Sequence, residues 1–350
     1  MSRAPIGAFE ATVLAVEDLS PSFRRVTFGG AGLQGFGPNA HPRDLRIKLI
    51  IPPGGAAAPQ FDMLGFLAEQ EEAGVSWYQA WLQVDPEIRG AMRTYTVREW
   101  RDEDRELVVD MILHSDEDGH SGPAAQWAES AQLGHSLHLI GPSRDAEAPP
   151  AGIEFAPGEA DQILLAGDET AVPAIASILD SLKDASVQGK AVLEVPSAED
   201  IIDIDAPAGF EVQWLPRGAA DFGELLEPAV REAVRAETSA YAETRAYAEV
   251  GASSPGSSGP AEAPGSSRSD RELDDVDIDK EILWDVPAAL TQAAQGSSSE
   301  TEKEARPFYA WIAGEAGPVK RLRRYLVQEV GVDRKQIAFM GYWRQGKAEG

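Results

Sequence analysis

The stretch Met92-Arg93-Thr94-Tyr95-Thr96-Val97-Arg98 carries the pattern around which the rest of the chain is organised. Aromatic and β-branched residues alternate with arginines, and neither glycine nor proline interrupts them, which predicts a short β-strand. An arginine, an aromatic ring and a hydroxyl at i, i+2 and i+3 suit a ligand that carries phosphate, a flat ring and a hydrogen-bonding edge, because a guanidinium fork binds two phosphate oxygens at once. The alternative is an ordinary surface strand with a cross-strand tyrosine, and the surrounding sequence decides between the two.

Strand-like runs flank this stretch on both sides. They are Phe9–Val16, Phe23–Phe28, Leu45–Ile51, Glu106–His114 and Ser136–Ile140. In the third of these runs every second residue is apolar, which predicts one buried face. About six short strands with one helix predict a small antiparallel β-barrel.

The helix of this region is predicted to start at Gly122-Pro123-Ala124-Ala125-Gln126-Trp127-Ala128. Proline just inside a helix start, after glycine, is a common N-terminal signal. Free backbone N–H groups and the positive end of the helix dipole favour phosphate at such a position. An ordinary helix start without a ligand is the alternative.

The period of the pattern changes from about residue 155. Ile163-Leu164-Leu165-Ala166 is a continuous apolar run, typical of a strand buried on both faces, and it leads through Gly167-Asp168-Glu169-Thr170-Ala171 into a predicted helix. Asp168 or Thr170 is suited to cap that helix. The later predicted elements are the strands Ala191–Val195, Glu211–Leu215, Phe308–Ala313 and Gln336–Trp343 and the helix Val319–Glu329. This alternation predicts a parallel α/β sheet of the nucleotide-binding type.

These patterns predict two domains. We expect a β-barrel domain over residues 1–150 and an α/β domain over residues 155–350, with a Ser/Pro/Gly-rich and acidic insertion at about 232–306. Residues 232–247 are compatible with a helix, and the cluster Ile282-Leu283-Trp284 is compatible with docking onto a domain. A disordered spacer is the alternative for the whole insertion.

Composition excludes several function classes. The formal net charge of −27 makes nucleic acid an unsuitable partner, and any anionic ligand needs a locally basic site. The absence of cysteine excludes disulfides, thiolate chemistry and cysteine-held metal centres. Among the five histidines, His135 and His138 fall on opposite faces of a predicted strand, so no metal site is expected. With no apolar run of about 18 residues and no signal-like N-terminus, we expect a cytoplasmic protein without membrane insertion, and we expect a monomer.

The order of these motifs resembles the siderophore-interacting proteins, which are FAD-dependent ferric-siderophore reductases within the ferredoxin–NADP reductase-like superfamily. The resemblance covers nearly the whole chain apart from residues 232–306. Its most specific stretches are Leu165–Ile175, Trp311–Gly317 and Gly341–Gly346. It implies an FAD-binding barrel followed by an α/β reductase domain.

The resemblance also implies roles for individual residues. Arg93 would pair with the FAD pyrophosphate, Tyr95 would stack on the isoalloxazine, and Thr96 would hydrogen-bond near its N5 atom. The other residues implied at the cofactor are Thr94, His114, Gly122, Ala124, Ala125, Asp168, Thr170 and Ala171.

The implied substrate is a ferric siderophore, which is commonly anionic. By resemblance, the cations that would bind it are Lys48, Arg217 and Arg344. The electron donor stays open among NADH, NADPH and reduced ferredoxin, because Asp168 and Glu169 replace a glycine-rich turn and would repel the phosphates of a dinucleotide.

The function predicted in this way is FAD-dependent reduction of Fe(III) in siderophores, which releases Fe(II) for iron acquisition. No catalytic side chain beyond the flavin is expected, because electron transfer needs neither a general acid nor a nucleophile. Two alternatives are a general NAD(P)H:flavin or quinone reductase, and a non-catalytic module that binds flavin or siderophore.

Overall fold

The computed structural model describes residues 5–113, 121–144, 146–147, 150–236, 276–278, 281–287 and 308–347. Its thirteen named strands form two sheets, one in each half of the chain. No helix within these ranges is both long enough and apolar enough to cross a membrane.

The first sheet is a curled antiparallel half-barrel of seven strands. Its strands are β1 (Ile6–Asp18), β2 (Phe23–Gly29), β3 (Arg46–Ile51), β4 (Ala91–Thr96), β5 (Glu99–Arg101), β6 (Glu106–Ile112) and β7 (Ser136–Pro142). Their order is β4-β3-β7-β1-β2-β6-β5, so β4 lies at one end of the sheet. Ile47, Leu49 and Ile51 point into the barrel core, which confirms the buried face predicted from their alternation.

Four helices accompany the barrel. They are α1 (Met63–Ala73), α2 (Trp77–Leu82), α3 (Pro86–Arg89) and α4 (Pro123–Ser130). Residues of the α1–α2 region, including Met63 and Trp81, pack on the outer face of the barrel against Ile50, Met92 and Ile140. The helix α4 begins where the Gly-Pro signal predicts it, and its Trp127 is buried in the barrel core.

The second sheet has five parallel strands and one antiparallel edge strand. Its strands are β8 (Gln162–Gly167), β9 (Gln188–Val195), β10 (Phe210–Pro216), β11 (Trp284–Asp285), β12 (Phe308–Glu315) and β13 (Ile337–Trp343), in the order β10-β9-β8-β12-β13-β11. Its helices are α5 (Val172–Ser181), α6 (residues 226–236) and α7 (Ala316–Arg324), and a π-helical turn (Tyr325–Val330) follows α7. The predicted antiparallel half followed by a parallel α/β half is therefore confirmed.

Two helix starts differ from the predictions. Neither Asp168 nor Thr170 caps α5, whose N-cap is Ala171 and has no side-chain cap hydrogen bond, because the carboxylate of Asp168 is used elsewhere. The helix α7 starts before the predicted Val319, because the side chain of Glu315 accepts a hydrogen bond from the Gly317 N–H and caps it.

Part of the predicted insertion docks on the second sheet. Strand β11 pairs with β13, and the Asp285 carboxylate is held by Arg323 at 2.9 Å and Arg334 at 3.1 Å. The prediction that Ile282-Leu283-Trp284 can dock is thus confirmed. Residues 232–236 of the insertion belong to α6 and residues 276–278 are also described, whereas the remaining part, including residues 237–247 of the suggested helix, lies outside the described residues.

A buried carboxylate joins the two sheets. Asp44, just before β3, is fully buried and accepts hydrogen bonds from the backbone N–H groups of Glu154 and Phe155 and from the Trp311 indole at 2.9 Å. Burial raises the pKa of Asp44, although these hydrogen bonds act in the opposite direction. The contact fixes the start of β3 against β12, so the residues that follow on β3 have a defined position relative to the second sheet.

Candidate functional site

A cavity of about 1150 Å³ opens between the outer face of the half-barrel and the C-terminal ends of the parallel strands. One wall is formed by β3, β4 and β7, and a second by α1 and α2. A third is formed by the docked segment and the end of β13. Ligand crevices of open α/β sheets are found at this end of the strands.

The cavity is basic although the protein is acidic. Four cations and two carboxylates line it: Arg46, Lys48, Arg344, Lys347, Glu71 and Glu281. The chain as a whole has a formal charge of −27, so this lining has the opposite sign to the average surface. An anionic ligand requires such a local reversal of charge, which agrees with the locally basic site expected from the sequence.

Two of the three cations predicted to bind substrate meet in this cavity. The Lys48 Nζ donates to Thr94 Oγ1 at 2.6 Å, and the Arg344 Nη1 donates to Glu315 Oε1 at 2.8 Å. Arg46 also lines the cavity and pairs with Glu154 at 2.7 Å. Arg46 was not predicted as a site residue. The alternation of residues along the predicted strand places Arg46 on the same face as Lys48, so this pattern was sufficient to predict it.

Arg217, the third predicted cation, does not line the cavity. Its side chain is 8% exposed, forms two hydrogen bonds to Glu169 (3.0 and 3.2 Å) and one to Glu194 (3.2 Å), and stacks over the Phe222 ring at 3.9 Å. Burial is the strongest single influence on the pKa of Arg217 and lowers it. The hydrogen bonds and charges of Glu169 and Glu194 together outweigh burial, so the pKa of Arg217 is raised above its ordinary value. Its predicted role at the substrate stays a prediction.

The Arg93–Thr96 motif is divided between the two faces of β4. Arg93 and Tyr95 lie opposite Leu49 and Ile47 on the face of the barrel core. Thr94 and Thr96 lie opposite Lys48 and Arg46 on the face of the cavity. A ligand that contacts both faces therefore has to pass the outer edge of β4, which is available because β4 ends the sheet.

The residues present fit FAD in this region. Arg93 is half-buried, its Nη1 donates to the Met92 carbonyl at 2.8 Å, and it has no carboxylate partner among the described residues. Its guanidinium is thus suited to a phosphate. Tyr95 is half-buried against the barrel core and is suited to lie against a flat ring.

The start of α4 fits a pyrophosphate. Its N-cap Gly122 has no side-chain cap hydrogen bond, and a Cβ added there would find no described heavy atom within 4 Å. Ala124 and Ala125 are small and buried, and N–H groups in the first turn of a helix have no partner within that helix. His114, also predicted at the cofactor, lies outside the described residues.

Asp168 joins the ends of three strands. Its carboxylate accepts from the Thr170 N–H at 2.9 Å and from the Thr170 hydroxyl. It also accepts from the Glu315 N–H at 2.6 Å and from the Trp343 indole at 2.9 Å. Gly314 approaches it with φ of 140°, and a Cβ there would lie 2.6 Å from the carboxylate. Burial, and secondarily the charge of Glu169, raise the pKa of Asp168 to about 6.

The two acids of this turn are therefore not presented to a ligand. Asp168 and Glu169 are each 3% exposed, and Glu169 is paired with Arg217. Because both side chains are buried, the repulsion of a dinucleotide that was expected from them does not follow. The spacing of residues in the sequence could not show that these side chains point inward. Thr170 donates to Asp168 and Ala171 is fully buried, so their predicted cofactor contacts stay predictions.

A curled antiparallel half-barrel followed by a parallel α/β sheet defines the ferredoxin–NADP reductase-like fold, and the Arg-x-Tyr strand and the uncapped helix start of this chain fit FAD. Two family models match the chain, one described as "Siderophore-interacting FAD-binding domain" over residues 12–146 and one as "Siderophore-interacting protein" over residues 160–346. The chain belongs to the siderophore-interacting protein family.

Individual relatives agree with this assignment. The ferric vibriobactin reductase ViuB of Vibrio cholerae is 32% identical over 217 residues, which are 61% of this chain and 68% of that protein. The NADPH-dependent ferric-chelate reductase of Escherichia coli is 31% identical over 59% of this chain and 70% of its own length. The crystal structure of a siderophore utilization protein from T. fusca shares the fold, with a TM-score of 0.58, 23% identity, and coverage of 99% of this chain and 95% of that one.

Proposed function

We propose that this protein reduces Fe(III) in ferric siderophores with FAD as its cofactor and releases Fe(II) for iron acquisition. The observation that carries the proposal is the basic cavity on one face of β3 and β4, across these strands from Arg93 and Tyr95. The relatives named as reductases of ferric vibriobactin and of ferric chelates support the same reaction.

FAD, when bound, supplies the transfer of electrons to the ferric ion. The protein contributes position and charge. Arg93 and the first-turn amides at Ala124 and Ala125 would hold the phosphates of FAD, and Tyr95 would support its flat ring. Thr94 and Thr96 would contact the edge of that ring. In this arrangement residues 1–150 hold the cofactor, and residues 155–350 complete the substrate cavity and receive the donor.

The cations of the cavity bind the chelate. Lys48 and Arg344 line the cavity from different walls, so an anionic complex bound between them would contact both cations. Reduction of Fe(III) transfers an electron and no proton to the metal, so the reaction needs no side chain as a general acid or base. Fe(II) is held less tightly than Fe(III) by oxygen ligands, and reduction therefore releases the metal.

NADH or NADPH is the donor class that the superfamily fold and the Escherichia coli relative support. Reduced ferredoxin is the alternative donor. Because Asp168 and Glu169 point inward, their charges are not presented to the phosphates of a dinucleotide. A cytoplasmic monomer is the form we infer, and size-exclusion chromatography of the purified protein tests its monomeric state.

The test is anaerobic reduction of the purified protein followed by mixing with an acceptor. Flavin bleaching is recorded with NADH, NADPH and reduced ferredoxin in turn, and reoxidation is recorded with a ferric siderophore, ferric citrate and free FMN. Fast reoxidation by the ferric siderophore alone supports the proposal. Equal rates with all three acceptors would indicate a general reductase, and the absence of reoxidation would leave a binding module.

A further inference from the structure

The docked segment at residues 281–287 closes one side of the cavity. Leu283 is buried, and its carbonyl accepts from the Gly341 N–H at 2.8 Å. Trp284 and Asp285 pair with β13, and Asp285 is clamped by Arg323 and Arg334. This segment therefore has a fixed position on the second sheet.

Trp284 also joins the segment to the barrel. The guanidinium of Arg46, on β3, lies 4.1 Å above the Trp284 ring, and the Tyr342 ring, on β13, stacks with it at 6.0 Å and 16°. A cation over an aromatic face and a stacked ring pair are both attractive. The segment is thus held both by β3 of the barrel and by β13 of the second sheet.

The segment presents an apolar surface to the cavity. Ile282 lines it and is 76% exposed. Of the nine large apolar side chains that are exposed in the described part of the chain, three more line the same cavity: Ile6, Val75 and Tyr78. Exposed apolar side chains that converge on one site mark a surface that binds something apolar.

We propose that the segment 281–287 is the specificity-determining wall of the cavity and selects anionic chelates that present an aryl or alkyl face. The inference rests on the proposed function. Lys48 and Arg344 favour any negatively charged chelate. Contact with Ile282 stabilises the complex only if the chelate presents an apolar face, because only then is apolar surface removed from water. Glu281, exposed beside it, repels a chelate whose outer surface consists of anionic oxygens.

The test compares two trianionic complexes of Ga(III), which is not reduced under these conditions. Gallium tris-catecholate presents aryl faces, and gallium tris-oxalate presents only oxygen. Binding to the FAD-loaded protein is followed by quenching of tryptophan fluorescence, with each ligand in excess over the metal. We expect the wild-type protein to bind the tris-catecholate at least about tenfold more tightly.

The variant Ile282→Gln is the decisive change, because a side chain this exposed is not needed for folding. It should weaken tris-catecholate binding about fivefold and leave tris-oxalate binding unchanged. The matched control is Ile201→Gln, which replaces another exposed isoleucine, 44% exposed and away from the cavity, and should change neither. Glu281→Gln should strengthen tris-oxalate binding and thereby reduce the difference in affinity between the tris-catecholate and the tris-oxalate.

Equal affinity of the wild-type protein for both complexes, or an equal loss for both in Ile282→Gln, would overturn the proposal. The gallium measurement needs no electron transfer, so it fails or succeeds separately from the proposed reaction. A protein that prefers gallium tris-catecholate to gallium tris-oxalate but reduces no ferric chelate would contradict the proposed function alone. A protein that reduces ferric siderophores but has no gallium preference would contradict only the role of the segment.

Discussion

Two of the three walls of the cavity are held in place by different physical means: the barrel wall, formed by β3, β4 and β7, and the α/β wall, formed by the docked segment and the end of β13. On the barrel side, Lys48 faces the cavity because it alternates with core residues along a paired strand. On the α/β side, Trp343 is the last residue of the parallel strand β13 and Arg344 follows it. Buried carboxylates hold both side chains, since Asp168 accepts from Trp343 and Glu315 accepts from Arg344. A change on the barrel wall should therefore alter ligand binding alone, whereas a change on the α/β wall should also alter stability.

The largest effect is expected from Asp168→Ala. The substitution leaves the Glu315 N–H and the Trp343 indole without an acceptor in a buried place, so the free energy of unfolding should fall by about 4 kcal/mol. Chemical denaturation followed by circular dichroism measures this. Asp203→Ala, which removes an exposed acid, is the control. A loss below about 1 kcal/mol in Asp168→Ala would show that strand pairing alone holds this wall.

The same carboxyl group should make stability depend on pH. The folded protein keeps the proton of Asp168 up to a pKa of about 6, whereas an unfolded chain releases it near 3.8. The contribution of Asp168 is thus greatest below pH 4 and is lost as the pH rises through 6, by up to about 3 kcal/mol. Asp44 acts in the same direction.

Surface repulsion in an acidic protein gives a similar trend, so the pH series belongs at high salt, which screens exposed charges and leaves buried groups nearly unaffected. Denaturation midpoints between pH 4 and pH 7 provide the measurement. A curve that becomes flat at high salt would assign the dependence to the surface and not to the α/β wall.

The third expected effect concerns the reverse face of the barrel wall. Arg93→Ala and Tyr95→Ala should each weaken FAD binding by about tenfold to a hundredfold, because they remove a charge-assisted phosphate contact and a ring support. Lys48→Met, on the opposite face of the same strand pair, should leave FAD affinity unchanged. FAD retention on desalting and titration of the apoprotein measure the difference. If Lys48→Met releases FAD and Arg93→Ala does not, the assignment of the two faces is wrong.

The smallest effect compares one cation from each wall. Lys48→Met should weaken binding of a trianionic gallium chelate about threefold, with no change in stability. Arg344→Met should weaken it similarly and also destabilise the protein, since Glu315 is buried and loses a partner. Lys335→Met, an exposed cation outside the cavity, is the control. Equal stability of the Lys48 and Arg344 variants would remove the distinction between the walls.

The sequence predicts the barrel wall well, because strand alternation is local. The period of two in β3 places Lys48 and Arg46 together, and the motif of β4 pairs with them in register. The same period also shows that Thr96 faces away from Arg93, so the spacing i, i+3 could not describe a single contact face.

The α/β wall could not be predicted in this way. Asp168 was expected to cap α5, but its partners Glu315 and Trp343 are 147 and 175 residues away in sequence. Arg217 was expected in the substrate cavity, and it pairs instead with Glu169, which lies 48 residues away in sequence. Local patterns give the secondary structure around such side chains, whereas their partners depend on how the strand ends converge.

The reversal of charge between the cavity and the rest of the surface has a consequence for the kinetics of binding. A trianionic chelate far from the protein meets a net charge of −27 and is repelled, while one inside the cavity meets Lys48 and Arg344. Added salt screens the distant repulsion, so the association rate constant should rise with ionic strength, whereas the dissociation rate constant should rise as the contact pairs weaken. Capture of the chelate should therefore become faster as salt is added, and the equilibrium affinity should change less with salt than either rate constant.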